Sequence, residues 1–231
     1  MQRNKEEHSF DQMIENLKIV PDEIFANYQL AHDHLHRKIT HEQFAHLVED
    51  AIQCGITLSE EVQGHHFHLT LYQIIDCYGL KIKDRFHPDE DSPDYLSLYD
   101  PEGEISIMTQ PIDELLRVQV NPRLSSVIIR NLILGRELFH HLEHLSPKIY
   151  TTSTRLTVWK LFNHEHKAKI KALSDIAAAS FSRHINGGGF SPFVPDVLLK
   201  YLHNPRVGKR VYRELTADVM VSKDFHTEKS Q

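Results

Sequence analysis

The sequence predicts an α+β protein that is mostly helical and contains a small antiparallel or mixed sheet. Residues 95–99 and 104–108 alternate apolar and polar side chains around Asp100-Pro101-Glu102-Gly103, a pattern that predicts a β-hairpin. Residues 124–145, called the motif helix below, carry apolar side chains at the spacing of one helical stripe. That stripe comprises Leu124, Ile128, Leu132, Leu138, Leu142 and Leu145.

The first part of the chain, residues 1–54, predicts three short helices. Pro21 begins the second helix, because the acidic residues that follow it suit a helix N-terminus. Thr40 begins the third helix as its N-cap, with Gln43 in the capping-box position. These helices are expected to form an N-terminal extension.

Further elements are predicted on both sides of the motif helix. A helix from Ser59 ends at Gly79, where glycine permits a left-handed cap, and a strand follows over residues 79–84. After the motif helix, a second long helix is predicted over residues 164–185. The glycines at 187–189 form a connector, and residues 194–222 predict two more helices.

Composition and charge narrow the class of protein. The 231 residues are 40% hydrophobic and 25% charged, with a formal net charge of −6, which is ordinary for a globular protein and gives no basic footprint for nucleic acid. No apolar run reaches the roughly 18 residues of a membrane span. We expect a cytoplasmic protein with one main domain over residues 55–190, preceded by the extension 1–54 and followed by a helical extension and loose tail over 191–231.

The polar residues of the motif helix follow the spacing of a zinc-peptidase motif. Arg136, Glu137, His140 and His144 fall on one helix face, because neighbours at i+3 and i+4 stack. Zinc peptidases carry H-E-x-x-H, in which two His bind the metal and the Glu is the general base. Residues 136–140 read R-E-L-F-H, so the first ligand is replaced by arginine.

This segment resembles the ImmA/IrrE family of zinc metallopeptidases, which have a zincin fold. Residues 130–135 match the basic and apolar lead-in of that family, Glu137 its general base, His140 its second ligand and His144 its trailing histidine. The resemblance implies a zincin-like domain in which the small sheet packs on the motif helix. It also implies that a peptide aligns along the edge strand of that sheet.

The resemblance extends to the helix that supplies the third zinc ligand. In the family this ligand is a Glu four residues before an Asn or Asp, and residues 174–178, S-D-I-A-A, resemble that pattern with Asp175 in the Asp/Asn position. Lys171 then stands at the ligand position. Phe139 replaces a usual glycine, and its ring is expected to fill space beside the cleft.

Replacement of two ligands by cations predicts a centre without catalytic metal. A fixed cation cannot ligate zinc, but it can neutralise a carboxylate. We therefore expect Arg136 to pair with Glu137, Lys171 to pair with Asp175, and hydrogen bonds to hold His140. By analogy with a family that cuts transcriptional repressors, such a pseudo-peptidase would need no cofactor and would bind a protein or peptide, with a transcriptional regulator as one candidate.

Two alternatives follow from the same residues. Residues 140–144 spell H-x-x-E-H around Glu143, the inverted zincin motif. His140 and His144, with Glu165 or Asp175 as third ligand, would then hold zinc in an active endopeptidase. A remote third function is DNA binding through the N-terminal helices. A membrane partner is not expected.

Overall fold

A computed structural model of the chain describes residues 9–86, 95–161 and 164–227. It is an α+β fold in which helices predominate, as the sequence predicts. The helices are α1 (Phe10–Lys18), α2 (Asp22–Ala31), α3 (His41–His65), α4 (Leu71–Cys77), α5 (Thr109–Arg117), α6 (Ser126–Leu145), α7 (Tyr150–Ser153), α8 (Lys171–Ile185), α9 (Phe193–His203) and α10 (Pro205–Thr227). The strands are β1 (Lys81–Arg85), β2 (Ser97–Asp100), β3 (Glu104–Met108), β4 (Leu156–Leu161) and β5 (His164–Ala168).

The capping box predicted at Thr40 is present and begins α3. The Thr40 hydroxyl accepts a hydrogen bond from the Gln43 amide at 3.2 Å, and the Gln43 side chain accepts one from the Thr40 amide at 3.0 Å. The helix is longer than predicted, because Ser59 does not begin a new helix. Its buried hydroxyl donates to the Ile56 carbonyl within α3, and the next helix begins after Thr70.

Helix α3 also passes through the predicted boundary at residues 54/55. Residues from the N-terminal part, the motif helix and the C-terminal part share one core cluster, which includes Met13, Leu138 and Leu198. The predicted division into three parts remains a prediction. Residues 1–8 of the N-terminal part and 228–231 of the predicted tail lie outside the described residues, and the backbone of α10 continues to Thr227.

The predicted hairpin is present and belongs to a mixed sheet of three strands. Strand β3 lies in the centre, parallel to β1 and antiparallel to β2. Gly103 closes the β2–β3 turn with a φ of 96°, a conformation that glycine adopts without steric cost. The sheet contacts α6 through β2 and β3, so the sheet does pack on the motif helix and β2 forms one of its edges.

The second long helix is shorter than predicted. Helix α8 begins at Lys171, and residues 164–168 form strand β5, which pairs antiparallel with β4. The apolar stripe that predicts this helix begins only at Leu173, so the segment before it has no helical periodicity to oppose strand pairing. Residues 109–117, for which the sequence predicts no element, form α5.

Helix α8 lies at the centre of the helical layer and packs closely on both α3 and α6. At Gly55 of α3, a Cβ atom would overlap the Ala177 carbonyl oxygen and lie 2.7 Å from the Phe181 nitrogen. At Gly135 of α6, it would lie 2.7 Å from Ser182 Oγ. These glycines let α8 approach both neighbours, and α6 thereby presents its remaining face to the sheet. Among the described residues, no helix is both long and apolar enough to cross a membrane.

The close contact at Gly55 predicts a large effect of adding one methyl group. Gly55→Ala should lower the free energy of unfolding by roughly 1–3 kcal/mol, because the backbone of α8 cannot move aside without repacking the core. Gly64 is the matched control, since it lies in the same helix with no atom near its Cβ position. Gly64→Ala should leave stability unchanged or raise it by up to about 1 kcal/mol. Both free energies of unfolding are measured by urea unfolding. Equal effects of Gly55→Ala and Gly64→Ala would contradict the close packing of α3 on α8.

Candidate functional site

The candidate site lies along the second half of α6, where β2, α8 and α9 approach it. Helix α6 begins at the N-cap Ser125, whose hydroxyl accepts from the Ile128 amide. Its apolar side is buried in the core from Ile129 to Leu142. The polar residues of the motif therefore occupy the part of the helix that faces the other three elements.

Arg136 is the centre of the first polar group. Its Nε lies 3.4 Å from Glu137 Oε1, one terminal nitrogen donates to Asp196 of α9 at 2.9 Å, and the other donates to the Ser97 hydroxyl of β2 at 3.3 Å. The Ser97 hydroxyl in turn donates to Glu137 at 2.6 Å. The predicted pair of Arg136 with Glu137 is thus present, and it is part of a network that joins α6 to β2 and α9.

The electrostatics of this group follow from its burial. The Arg136 side chain is 18% exposed and the Glu137 side chain 6%. Burial by itself lowers the pKa of Arg136, but Asp196, Glu137 and Asp175 outweigh it and raise that pKa. Desolvation raises the pKa of Asp196, and Arg136 opposes this rise. Arg136 is therefore a permanent cation, and its charge offsets the loss of hydration of the Glu137 and Asp196 carboxylates.

Glu143 is the centre of the second polar group, about two turns further along α6. Its carboxylate accepts from the Thr151 hydroxyl at 2.5 Å, from the Ser174 hydroxyl at 2.6 Å and from Lys169 Nζ at 3.1 Å. Burial raises the pKa of Glu143, but hydrogen bonds from its neighbours, His140 first, outweigh it and lower the pKa to about 2. Glu143 thus links α6 by hydrogen bonds to α7, to α8 and to Lys169, which follows β5.

His140 lies next to this second group and is held by hydrogen bonding, as predicted. Its Nδ1 lies 3.3 Å from the Ser174 hydroxyl and 3.8 Å from Glu143 Oε2. His144 is exposed to solvent. His141, which the sequence did not single out, is buried, and its Nδ1 lies 2.9 Å from the Tyr99 hydroxyl of β2. The sheet therefore contacts α6 at both Glu137 and His141.

Lys171 and Asp175 do not form the predicted pair. No hydrogen bond or ion pair joins them, and both are exposed on α8. Lys171 is the first residue of that helix, where its flexible side chain gains little from an exposed pair compared with water. Partial desolvation by the neighbouring protein atoms raises the pKa of Asp175, whereas the nearby His140 and Arg136 lower it.

Phe139 also lies elsewhere than predicted. Its ring is fully buried and packs against Phe181 of α8, with ring centroids 5.8 Å apart. One residue along a helix corresponds to a turn of about 100°, so Phe139 faces the core while His140 faces the polar site. The ring that is expected to fill space beside the cleft lies in the core instead.

The alternative zinc ligands do not converge in the part of the chain that the structure describes. Glu165 lies on the β4–β5 hairpin, where it pairs with Lys160 at 2.7 Å and Lys167 at 3.6 Å. Over residues 9–86, 95–161 and 164–227, no three His, Cys, Asp or Glu side chains are arranged to hold a metal ion. His140 and Asp175 lie close enough to interact electrostatically with each other, and Asp175 also interacts with Arg136.

Sequence reasoning missed Asp196 and Ser97, which both contact Arg136. Asp196 had a detectable signal, because it is the only acidic residue among the mostly apolar residues 193–203. A single carboxylate in such a segment predicts a partner of opposite charge. Ser97 had no such signal, since serine is common at the start of strands and turns.

Comparisons of the chain with protein-family models, with curated proteins and with solved structures give no match. The resemblance to ImmA/IrrE peptidases therefore rests on the motif residues and the predicted order of elements in the sequence alone.

Removal of the Arg136 cation should destabilise the fold strongly. Arg136→Met keeps a good helix former of comparable length but leaves Glu137 buried without its counter-ion, so the free energy of unfolding should fall by about 3–5 kcal/mol. Adding Glu137→Gln should recover part of this loss, because the second change removes the unpaired charge. The free energy of unfolding of Arg136→Met is measured by urea unfolding. A loss below about 1 kcal/mol, the value typical of an exposed ion pair, would contradict the conclusion that Arg136 compensates a buried charge.

The depressed pKa of Glu143 predicts a stability difference that depends on pH. Its folded pKa of about 2 lies below the ordinary 4.5, so its contribution is complete above pH 4.5 and disappears as the pH falls toward 2. The lowered pKa corresponds to a contribution on the order of 3 kcal/mol at pH 7. The stability difference between wild type and Glu143→Gln should shrink between pH 4.5 and 2. A constant difference over that range would show that the charge of Glu143 is not involved.

Proposed function

We propose that this protein is a zincin-like, catalytically degenerate module that binds an extended protein segment without using a metal. One observation carries the proposal: Arg136, at the position of the first zinc ligand, is held by Glu137, Asp196 and Ser97 beside an edge strand. A fixed cation at that position repels a metal ion and provides no lone pair for it.

The state of Glu137 supports a loss of catalysis. A general base in a zinc peptidase needs a carboxylate that can reach a metal-bound water. Glu137 is instead buried, and its carboxylate accepts hydrogen bonds from Ser97 and Arg136. It serves as the counter-ion of Arg136 in this proposal.

The outward-facing edge of β2, which has no partner strand among the described residues, supports binding of an extended segment. The Leu96 carbonyl accepts from the Met108 amide of β3 at 2.9 Å. Backbone groups of antiparallel strands alternate in direction, so those of Leu98 also face β3, whereas those of Ser97 and Tyr99 face away from it. No described residue pairs with these outward groups. A partner strand would gain its backbone hydrogen bonds there.

The edge strand and the Arg136 centre form one surface. The Ser97 side chain contacts Arg136 and Glu137, and the Tyr99 side chain contacts His141 further along α6. A segment added to β2 would therefore lie beside the motif residues. The family resemblance points to a segment of a transcriptional regulator as its partner.

Peptide binding and peptide cleavage can be measured in the same experiment. The folded protein is incubated with random-sequence peptides and zinc, and bound and cleaved peptides are identified by mass spectrometry. We expect bound, uncleaved peptides that slow backbone hydrogen exchange at Ser97 and Tyr99, while exchange at Leu98 stays as slow as in the free protein. Glu137→Gln should still bind these peptides if the variant remains folded.

Two results would contradict the proposal. Cleavage that requires zinc and disappears in Glu137→Gln would identify an active metallopeptidase with rearranged ligands. Absence of any bound peptide, with the protein folded, would exclude the β2 edge as a peptide-binding surface.

A further inference from the structure

The two edges of the three-stranded sheet differ in how they are protected against pairing with another strand. On β1, the side chains of Lys81, Lys83 and Arg85 are exposed. Lys83 and Arg85 also pair with Glu104 of the central strand. Charged side chains along an edge strand, lysine above all, are a common device that opposes pairing with a further strand. The β1 edge therefore has the features of a protected edge.

The β2 edge lacks this protection. Its four residues, Ser97–Asp100, include no cation. The one carboxylate, that of Asp100, accepts a hydrogen bond from the Glu102 amide in the adjoining turn at 2.9 Å. Leu98 lies within the strand and is 49% exposed, and an exposed leucine on an edge strand favours pairing with a further strand. Of the two edges, β2 is therefore the one suited to accept a partner.

The register of the sheet places Leu98 on the face directed away from α6. Leu98 lies opposite Ser106 of β3, and Ser106 lies opposite Lys83 of β1. The neighbouring Ser97 points the other way, because its hydroxyl bonds to Glu137 of α6 and successive side chains of a strand alternate between faces. Leu98 therefore ends a row of side chains on the outer face, and a segment added to β2 would provide the next member of that row.

Backbone geometry brings the side chain of this next member close to Leu98. Ser97 and Tyr99 carry the outward backbone groups, so an antiparallel segment would form its hydrogen bonds with these two residues. The residue opposite Leu98 would then occupy a non-hydrogen-bonded position, where paired Cα atoms lie about 4.5 Å apart, closer than at hydrogen-bonded positions. An apolar side chain there would cover Leu98 and remove its exposed surface from water.

We propose that the segment bound along β2 is antiparallel to it and carries an apolar residue, β-branched or aromatic, opposite Leu98. This inference rests on the proposed function, because the β2 edge defines where the segment lies. β-branched and aromatic side chains fit this position best, since they favour strands and pack well against cross-strand neighbours. Leu98 is then the residue that determines specificity, whereas the backbone groups of Ser97 and Tyr99 supply binding that does not depend on sequence.

The inference is tested by selecting peptides from a displayed random library on the wild-type protein and on Leu98→Lys. Peptides selected on the wild type should share an apolar residue at one position. Leu98→Lys should replace this preference by one for aspartate or glutamate at the same position, because opposite charges favour each other in cross-strand pairs. Val120→Lys is the matched control and should keep the apolar preference. Val120 is 85% exposed in the loop between α5 and α6, and its amide bonds to Asp11 of α1.

A selected peptide then gives the size of the effect. Leu98→Thr keeps a side chain that favours strands but removes most of the apolar contact, so it should weaken binding of this peptide about three- to tenfold. Replacing the apolar residue of the peptide by threonine should have a similar effect. Both changes together should weaken binding by less than the product of the two factors, because they remove the same contact. Slow hydrogen exchange at Ser97 and Tyr99 with peptide bound checks that the segment still lies along β2.

The possible failures are distinguishable. Peptides that slow exchange at Ser97 and Tyr99 without a shared apolar position, or an unchanged preference on Leu98→Lys, would overturn the role of Leu98 and leave the proposed function standing. Slow exchange at the same two amides without peptide, together with a dimer that dissociates on dilution, would show that a second copy of the chain fills the edge and would also overturn the inference. If no peptide binds the folded wild-type protein, the proposed function fails and this inference fails with it.

Discussion

The buried guanidinium of Arg136 is the interaction on which the site depends. A cation that is largely removed from water must be compensated by nearby acceptors, and here the acceptors come from three places in the chain. Ser97 lies in β2, Glu137 in α6 and Asp196 in α9. The requirement to compensate one charge therefore fixes the position of the sheet edge relative to two helices.

A second fixed charge, that of Glu143, holds the other side of the same helix. Its hydrogen bonds reach Thr151 of α7, Ser174 of α8 and Lys169, so α6 is bonded to different neighbours at two points about two turns apart. His140 lies between these two groups. In the proposed function, this arrangement holds the β2 edge in a fixed position relative to α6, which a binding surface needs.

The features that the sequence predicts are those set by local interactions. The motif helix, the capping box at Thr40 and the β2–β3 turn each depend on residues within a few positions of one another. The pair of Arg136 with Glu137 is predictable for the same reason. An arginine on the otherwise apolar motif helix also predicts correctly that Arg136 has an anionic partner.

The features that it misses depend on contacts between distant segments. Asp196 lies 60 positions from Arg136, and nothing near either residue specifies that they meet. The continuous α3 depends on its packing against α8, for which the small residue Gly55 is the only local sign. The pair of Lys171 with Asp175 is expected from the family resemblance, but an ion pair between two exposed side chains gains little free energy in water. The family resemblance places the Phe139 ring beside the cleft, whereas its helical position directs it to the core.

The most direct test of the central claim is the metal content of the purified, untagged protein, measured by elemental mass spectrometry with and without added zinc. A charge-compensated centre predicts no stoichiometric metal and a thermal unfolding transition that a chelator does not change. Zinc bound in an equimolar amount and lost in His140→Ala would contradict this account, because His140 would then be a ligand and Arg136 would not have replaced the metal.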